Sequence, residues 1–138
     1  MSPSKRIEKT DVQWREELTT EQYKVARGGG TERAFSGKYY AHKENGTYNC
    51  VCCHAVLFRS AEKYESGSGW PSFWDIMKKD CVTTRNDFSL GVGRVEILCA
   101  TCDAHLGHVF EDGPNPTGLR YCVNSASLDF SESSESND

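Results

Sequence analysis

The run Gly118-Leu119-Arg120-Tyr121-Cys122-Val123-Asn124-Ser125 alternates apolar and polar side chains, and the interpretation of the chain starts from it. Its apolar members share one face of an extended chain, while Arg120, Cys122 and Asn124 share the other, so the run predicts a β-strand. A guanidinium beside a thiol favours the thiolate, which is the nucleophilic form of cysteine. Free cysteines are also common as small hydrophobic residues of a core. The run by itself therefore leaves both a catalytic and a structural role open for Cys122.

The composition predicts one compact domain in a reducing compartment. The chain has 138 residues, of which 37% are hydrophobic and 26% are charged, and its net charge is −4. No apolar run reaches the length of a membrane-spanning helix, and the start of the chain lacks the apolar stretch of a secretory signal. No basic block favours nucleic-acid binding. We therefore expect a cytoplasmic monomer with no membrane or nucleic-acid partner, in which the 7 cysteines serve a metal or catalysis.

Three segments are predicted along the chain. They are a flexible N-terminal tail over residues 1–10, a single domain over residues 11–130 and a disordered acidic C-terminal tail over residues 131–138. Asp11 is a candidate cap for a first short helix, and Thr19 with Gln22 forms a capping box for a second helix that ends near Arg27. Strands are predicted beyond these helices. The strand candidates are Tyr39-Tyr40-Ala41, 47–51 after an Asn45-Gly46 hairpin turn, 56–58, 92–98, 109–110 and 121–128.

Two Cys-x-x-Cys pairs, Cys50 with Cys53 and Cys99 with Cys102, predict a metal site. Four thiolates fit a tetrahedral Zn²⁺ with Zn–S distances of about 2.3 Å, and a site with four cysteines is closed and therefore structural. Two alternatives remain. Cys52 offers another ligand at the first pair, and a redox Cys-x-x-Cys would begin a helix in a βαβ unit, a context that this sequence lacks.

Two histidines and a tryptophan are further candidates for a site. His105 and His108 suit proton transfer near neutral pH, and they would also suit a metal pair, although no third ligand stands at a nearby spacing. Trp70 lies in a loop between Gly69 and Pro71. It belongs either to the core or to the wall of a small apolar pocket, where an indole can face a methyl group of a ligand.

Four segments together resemble the methionine-R-sulfoxide reductase B family, and the resemblance extends from about Trp14 to Phe130. They are Gly46-Thr47-Tyr48-Asn49-Cys50, Ser66-Gly67-Ser68-Gly69-Trp70-Pro71-Ser72-Phe73, Cys99-Ala100-Thr101-Cys102-Asp103-Ala104-His105-Leu106-Gly107-His108-Val109-Phe110 and Arg120-Tyr121-Cys122-Val123-Asn124-Ser125-Ala126-Ser127-Leu128. The resemblance implies a mainly β, β-tent-like fold of two antiparallel sheets. It also implies short N-terminal helices and a structural zinc site at Cys50, Cys53, Cys99 and Cys102.

The resemblance further implies an oxidoreductase of protein repair under oxidative stress. Such an enzyme reduces the R epimer of methionine sulfoxide, in proteins or as the free amino acid, with thioredoxin or a small thiol as reductant. Cys122 corresponds to the nucleophile, which becomes a sulfenic acid, and His105 and His108 to the residues that position a water and protonate the sulfoxide oxygen. Trp70 and Phe110 correspond to the substrate-binding wall. The residues that correspond to polar orienting groups are Asp112, Arg120 and Asn124.

One position departs from the family pattern. Many members carry a recycling cysteine at the position of Ser68, and a serine hydroxyl cannot form a disulfide. Three explanations remain open: direct reduction of Cys122 by an external thiol, resolution by Cys81 or Cys52, and a serine introduced to block the disulfide. This departure affects the recycling step and not the first reductive step.

Two non-reductase interpretations compete with this one. A zinc-stapled interaction module of the same fold would explain the cysteine pairs, since a fold does not determine a function. It would explain neither the two histidines nor Cys122 beside Arg120. A dithiol oxidoreductase that uses a Cys-x-x-Cys pair would instead predict that no metal is bound.

Overall fold

The computed structural model describes residues 7–88, 91 and 93–132, and its N-terminal part is helical. Helix α1 spans Asp11–Glu17, and helix α2 spans Thr20–Gln22 and continues as a π-helical segment over Tyr23–Arg27. The cap of α1 is Thr10 and not Asp11, because the Thr10 hydroxyl accepts a hydrogen bond from the backbone N–H of Gln13. The capping box that was predicted from Thr19 and Gln22 is present.

The described residues form two antiparallel sheets, which confirms the predicted fold class. The strands are β1 Gly46–Cys50, β2 Val56–Arg59, β3 Lys63–Tyr64, β4 Ser72–Phe73, β5 Val82–Asp87, β6 Arg94–Cys99, β7 His105–Phe110, β8 Arg120–Val123 and β9 Leu128–Glu132. The smaller sheet has the order β2-β1-β9, and the larger has the order β3-β4-β8-β7-β6-β5. Strand β8 therefore lies inside the larger sheet, between β4 and β7.

The core lies where aromatic side chains of the two sheets meet. Tyr48 of β1, Phe58 of β2 and Phe73 of β4 are fully buried. The rings of Phe58 and Phe73 stack with their centroids 4.4 Å apart, and the ring of Tyr48 meets Phe73 edge-on at 5.1 Å. Burying one such side chain contributes about 1.5–3 kcal/mol. These rings fix the smaller sheet against the larger one.

The alternation that was read in residues 118–125 is present in β8. Tyr121 and Val123 are buried, whereas Arg120 and Cys122 are half-buried on the opposite face. In the pairing of β7 with β8, His108 lies directly opposite Cys122. In the pairing of β4 with β8, Ser72 lies opposite Cys122 on the other side. The register of three strands thus determines which side chains surround this cysteine.

Several predictions about individual strands were wrong. Residues Tyr39 to Ala41 form turns, and within the described part of the chain no strand precedes β1 that could make Asn45-Gly46 a hairpin turn. Strand β5 was not predicted. The strand expected at 92–98 begins at Arg94, and Val92 lies outside the described residues. The last candidate is divided by a 3-10 turn over Ser125–Ser127, so that β8 and β9 belong to different sheets.

Described residues near both ends of the chain make backbone hydrogen bonds with the rest of the fold. Strand β9 continues through Ser131 and Glu132, the first two residues of the predicted C-terminal tail, because it pairs with β1 as far as Gly46. Residues 133–138 of that tail lie outside the described residues. Of the predicted N-terminal tail, Ile7 donates a backbone hydrogen bond of 2.9 Å to Thr101. None of the described helices has the length and hydropathy to cross a membrane.

Candidate active site and metal centre

The two Cys-x-x-Cys pairs come together at one end of both sheets. The Sγ atoms of Cys50, Cys53, Cys99 and Cys102 all lie within 4.8 Å of one another. Cys50 and Cys102 have their sulfurs 3.6 Å apart, and so do Cys53 and Cys99. A tetrahedron of thiolates with bonds of about 2.3 Å has edges of about 3.8 Å, so the four sulfurs fit a bound metal ion. The group of four does not include Cys52.

Both cysteine turns have the same backbone pattern. The backbone N–H of His54 donates to the carbonyl of Cys50, and the N–H of Asp103 donates to the carbonyl of Cys99, each over 2.8 Å. His54 and Asp103 have positive φ angles of 69° and 66°, a conformation that is uncommon for residues other than glycine. The two turns therefore present their sulfurs in equivalent geometry.

An arginine of the helical segment contacts the sulfur cluster. Arg27 donates from Nη1 to the Sγ atom of Cys102 over 3.5 Å, and its guanidinium lies 4.2 Å from the ring centroid of Trp14. Hydrogen bonds from the neighbouring thiols, with Cys50 foremost, hold the pKa of Cys102 far below its usual range. The pKa values of Cys50, Cys53 and Cys99 are raised, with the hydrogen bond to Cys102 as the largest cause, so the negative charge concentrates on Cys102.

A cavity of about 310 Å³ opens beside Cys122 on the larger sheet. Its volume lies at the lower end of the range of small-molecule sites, which is about 300–1,000 Å³. Residues from five separate parts of the chain line it. They are Thr31, Ser68, Trp70, Arg94, Gly107, His108, Phe110, Arg120, Cys122 and Asn124. The cavity therefore brings together seven of the nine residues that were predicted for catalysis, substrate binding or recycling, and His105 and Asp112 are the two of these nine that do not line it.

Burial dominates the chemistry of the Cys122 thiol at rest. It raises the pKa of Cys122, and the Ser68 hydroxyl and the Arg120 guanidinium offset that effect only in part. The Oγ atom of Ser68 lies 3.7 Å from the Sγ atom of Cys122. The effect of Arg120 thus has the predicted sign, but burial outweighs it. The resting protein holds Cys122 mainly as a thiol.

Asp112 and Phe110 hold Arg120 in place. The Arg120 guanidinium donates to both carboxylate oxygens of Asp112, over 2.9 and 3.2 Å, and lies 4.4 Å from the ring centroid of Phe110. The hydrogen bond from Arg120 lowers the pKa of Asp112, which keeps the carboxylate charged. Asp112 is exposed and does not line the cavity, and it contributes to the cavity by holding the Arg120 side chain in place.

A bulge brings the two histidines to the same face of β7. Residues three apart in a regular strand point to opposite faces, but β7 shifts its register against β6 between His105 and Gly107. The extra residue turns His105 to the side of His108, and the two ring centroids lie 5.7 Å apart. His108 lines the cavity and His105 lies behind it.

Each histidine is paired with a carboxylate from another strand of the larger sheet, His105 with one from β6 and His108 with one from β5. His108 Nε2 lies 2.8 Å from Asp87 Oδ2, and His105 Nδ1 lies 2.6 Å from Glu96 Oε2. Burial lowers the pKa of His105, although Glu96 opposes the shift. The Nε2 atom of His105 is buried and has no hydrogen-bond partner among the described residues. A neutral His105 that donates to Glu96 presents this nitrogen as an acceptor, which suits a bound water.

The segment at Glu32 positions Trp70 and Asn124 through its backbone. The indole Nε1 of Trp70 donates to the carbonyl of Glu32 over 3.0 Å, and the N–H of Glu32 donates to Oδ1 of Asn124 over 2.9 Å. Asn124 also donates from Nδ2 to the carbonyl of Leu106. The indole is thus held as a half-buried wall of the cavity, and Asn124 links β8 to β7.

Asp87, Glu96, Arg94 and Thr31 are polar residues at or near the site that were not predicted from the sequence. Asp87 and Glu96 pair with the histidines, and Arg94 lines the cavity. A signal was present for Arg94 and Glu96, because they alternate with apolar residues in a predicted strand. Asp87 had none, since β5 was not predicted.

Neither remaining cysteine belongs to the cavity. Cys81 is buried, and its thiol donates to the carbonyl of Leu57. Cys52 is buried beside Cys102 and Arg27. Both lie close to the cysteine turns, since the carbonyl of Cys81 accepts the N–H of Ala100.

Comparison with known proteins gives a consistent result. Residues 18–132 match the family described as the SelR domain. A protein of Synechococcus sp. (strain RCC307) named peptide methionine sulfoxide reductase MsrB is 57% identical over 126 residues, which is 91% of this chain and 93% of that protein. Proteins of the same name from Hahella chejuensis and Pseudomonas paraeruginosa are 61% and 58% identical, over 91% and 89% of this chain and 90% and 93% of their own lengths.

Proposed function

This chain belongs to the peptide methionine sulfoxide reductase MsrB family, whose members are oxidoreductases that act on sulfur, and we propose that it reduces the R epimer of methionine sulfoxide with Cys122 as nucleophile. The observation that carries the proposal is the cavity at Cys122, in which His108 lies opposite the thiol in the strand register. Membership of an enzyme family also favours catalysis over the alternative of a non-catalytic interaction module.

The proposed reaction needs an attacking sulfur and a proton at the sulfoxide oxygen. The Cys122 thiolate attacks the sulfoxide sulfur, and the oxygen would carry negative charge if nothing protonated it. His108 supplies a proton on this side, and His105 holds a water behind it. General acid catalysis of this kind is typically worth about 10²–10⁴-fold. The protonated oxygen then moves from the substrate sulfur to the sulfur of Cys122, as the sulfur–sulfur bond formed by the attack breaks and returns its electron pair to the methionine sulfur. Methionine leaves and Cys122 becomes a sulfenic acid, so that sulfur of the substrate is reduced and sulfur of Cys122 is oxidised.

The cavity walls account for the choice of epimer in this proposal. A sulfoxide sulfur carries an oxygen, a methyl group, the side-chain methylene and a lone pair, so three oriented contacts distinguish its two epimers. His108 faces the oxygen, the Trp70 indole receives the methyl group, and Cys122 attacks the sulfur. Phe110 completes the apolar wall, and Asn124 and Arg120 orient the strand and the thiolate.

Because position 68 is a serine, the identity of the reductant that recycles Cys122 is left open. Two external thiols reduce the sulfenic acid to thiol, with release of water and formation of a disulfide between them, and this route needs no second cysteine in the chain. The position of Ser68, 3.7 Å from Cys122 by Oγ to Sγ, supports its assignment as the recycling position. We propose direct reduction by a small thiol for this chain, in a cytoplasmic setting and as a monomer.

The metal in this proposal is a structural Zn²⁺ at Cys50, Cys53, Cys99 and Cys102. Four thiolates leave no position for a water or substrate, so the ion would supply rigidity and no catalytic chemistry. The catalytic steps belong to the residues of the cavity.

The deciding experiment supplies dithiothreitol with the separate R and S epimers of a methionine sulfoxide peptide and measures the methionine formed. We expect consumption of the R epimer alone by the wild-type chain and none by Cys122→Ser. Cys81→Ser is the matched control, since it removes a buried cysteine that lies outside the cavity and the sulfur cluster. Consumption of neither epimer by folded wild-type protein would refute the proposal.

Ser68→Cys tests the recycling position. We expect this variant to form a disulfide with Cys122 after one turnover and to gain turnover with thioredoxin, because the new sulfur replaces a hydroxyl that is already beside Cys122. The same substitution at Ser66 provides a neighbouring control. Equal thioredoxin turnover by wild-type protein and Ser68→Cys would show that recycling does not use this position.

A further inference from the structure

The carboxylate of Asp87 has no assigned role, yet it contacts the one histidine that lines the cavity. We propose that Asp87 is a positioning residue that fixes the ring orientation and the tautomer of His108, and that Arg94 in turn holds Asp87. This inference rests on the proposed function of His108 as the proton donor. It specifies which ring nitrogen of His108 donates the proton.

The contacts form a short chain across three strands. Asp87 is the last residue of β5, Arg94 is the first residue of β6 and lies opposite Asp87, and His108 belongs to β7. The Oδ2 atom of Asp87 accepts from Nε2 of His108 over 2.8 Å and from Nη2 of Arg94 over 3.1 Å. Both partners of the carboxylate line the cavity, whereas Asp87 itself does not.

The carboxylate determines which ring nitrogen carries the proton. An ionised carboxylate only accepts hydrogen bonds, so the imidazole must present Nε2–H to Asp87. The nitrogen that remains for exchange with the substrate is Nδ1. As Cys122 becomes a thiolate, its proton passes to Nδ1 of His108, so that the ring carries a proton on both nitrogens. That Nδ1–H bond then breaks as the proton goes to the sulfoxide oxygen, while Nε2–H stays on Asp87. Partners of this kind set the tautomer of a histidine in metal sites and in catalytic triads.

The second histidine provides an internal contrast. The Nδ1 atom of His105 forms the hydrogen bond with Glu96, and its Nε2 atom has no such partner among the described residues. The two histidines therefore use opposite ring nitrogens to bind their carboxylates. Burial lowers the pKa of His105 and keeps it neutral, which suits the water-holding role and not proton donation. The two carboxylates therefore assign different tasks to two histidines whose rings are in contact.

The test compares wild-type protein with Asp87→Asn by ring ¹⁵N chemical shifts and by steady-state kinetics with dithiothreitol. An asparagine can turn its NH₂ group toward His108, so we expect resonances of the Nδ1–H tautomer to appear. We also expect kcat to fall by about 10–100-fold while KM stays within about twofold, because the cavity that binds the substrate is unchanged. Asp87→Glu keeps the carboxylate and should restore part of kcat and the wild-type tautomer.

The chain offers a control in an exposed aspartate–histidine pair. Asp129 Oδ2 lies 3.9 Å from Nδ1 of His54, at a distance from the cavity. Asp129→Asn should leave kcat and the His108 signals unchanged. Arg94→Met leaves Asp87 in place and should shift the same His108 resonances in the same direction by a smaller amount.

Two results would overturn the inference. One is a folded Asp87→Asn protein in which His108 keeps the wild-type tautomer, whatever its kcat. The other is a wild-type His108 whose neutral resting form carries its proton on Nδ1 and none on Nε2. Both readings use resting protein and do not depend on turnover. Failure of the proposed function would appear separately. Either the wild-type protein would not consume the R epimer, or Cys122→Ser would still consume it.

Discussion

At the scale of single residues, Gly107 allows the strands that carry His108 and Cys122 to approach each other. A Cβ atom at this position would lie 1.9 Å from the carbonyl oxygen of Cys122 and 3.0 Å from the Cα of Val123. No side chain fits that space, and the atoms in the way belong to the backbone. The pairing of His108 with Cys122 therefore requires glycine between the two histidines.

Gly107→Ala should separate β7 from β8 and move His108 away from Cys122. A displacement of about 1 Å at a reacting group can cost about 10²-fold in rate, so we expect kcat to fall by about that factor. The measurement is dithiothreitol-dependent reduction of the R epimer, with circular dichroism as the test of folding. Gly29→Ala is the control: its φ of 76° makes alanine cost about 1–2 kcal/mol, but no atom lies within 4 Å of the new methyl group. Equal activity of both variants would contradict this account.

The Cys122 thiol should react slowly with iodoacetamide at neutral pH. Since burial raises its pKa, its thiolate fraction at pH 7 is lower than that of an exposed thiol, and the rate should rise as pH rises above the ordinary thiol range. Arg120→Met removes a charge that lowers this pKa, and we expect a further decrease of less than about tenfold. Peptide mass spectrometry separates Cys122 from the other cysteines. A rate that is maximal at pH 7 would show that the thiolate predominates at rest.

Many of the site residues could be predicted one by one, but their partners could not. The motifs identify Cys122, His108 and Trp70, because each stands in a distinctive local run. Asp87 and Glu96 approach the histidines only through the pairing of β5, β6 and β7, which is a long-range property. The sequence likewise suggested that Arg120 activates Cys122, and it carried no information on how deeply the thiol is buried.

At the scale of secondary-structure elements, the two cysteine turns connect the sheets to each other. One turn joins β1 to β2 in the smaller sheet, and the other joins β6 to β7 in the larger sheet. The sulfur cluster lies between them, and Arg27 of the helical segment contacts it. A metal ion there would therefore hold three parts of the fold together.

Removal of the metal should destabilise the whole domain. Zinc-finger peptides gain about 10–16 kcal/mol from such a site, and a typical domain is stable by only about 5–15 kcal/mol. We expect a chelator to abolish the cooperative thermal transition and to release one Zn²⁺ per chain, as measured by circular dichroism and metal analysis. Cys99→Ser should behave like the chelated protein, and Cys52→Ser should keep its metal. A metal-free protein with an unchanged transition would argue against the site.

Strand type was easier to predict than strand pairing. The residues of β5, Val-Thr-Thr-Arg-Asn-Asp, have no clear alternation, because this edge strand exposes side chains on both faces. Six pairs with β6 decide its conformation. Tyr39 has high β-propensity and forms part of a turn instead, since its ring packs against Tyr48 and Phe130. Tertiary contacts override local preference at both places.

At the scale of the whole molecule, stability depends on the aromatic contact between the two sheets. Phe73→Ala removes a fully buried ring that touches Phe58 and Tyr48 from the other sheet. We expect a loss of about 3–5 kcal/mol in the free energy of unfolding, measured by urea denaturation. Phe35→Ala removes an exposed ring and should cost far less. Similar losses in the two variants would show that the sheets are not joined by this core.

The second cysteine turn and the first histidine are parts of one short segment. Only Asp103 and Ala104 separate Cys102 from the start of β7, whose first residue is His105. With Zn²⁺ bound as proposed, the supply of this metal and the repair of oxidised methionine become linked inside a single polypeptide. Under the proposed function, chains made without zinc could not assemble the strand that bears the proposed proton donor, and the R epimer of methionine sulfoxide would persist even where thiols are plentiful.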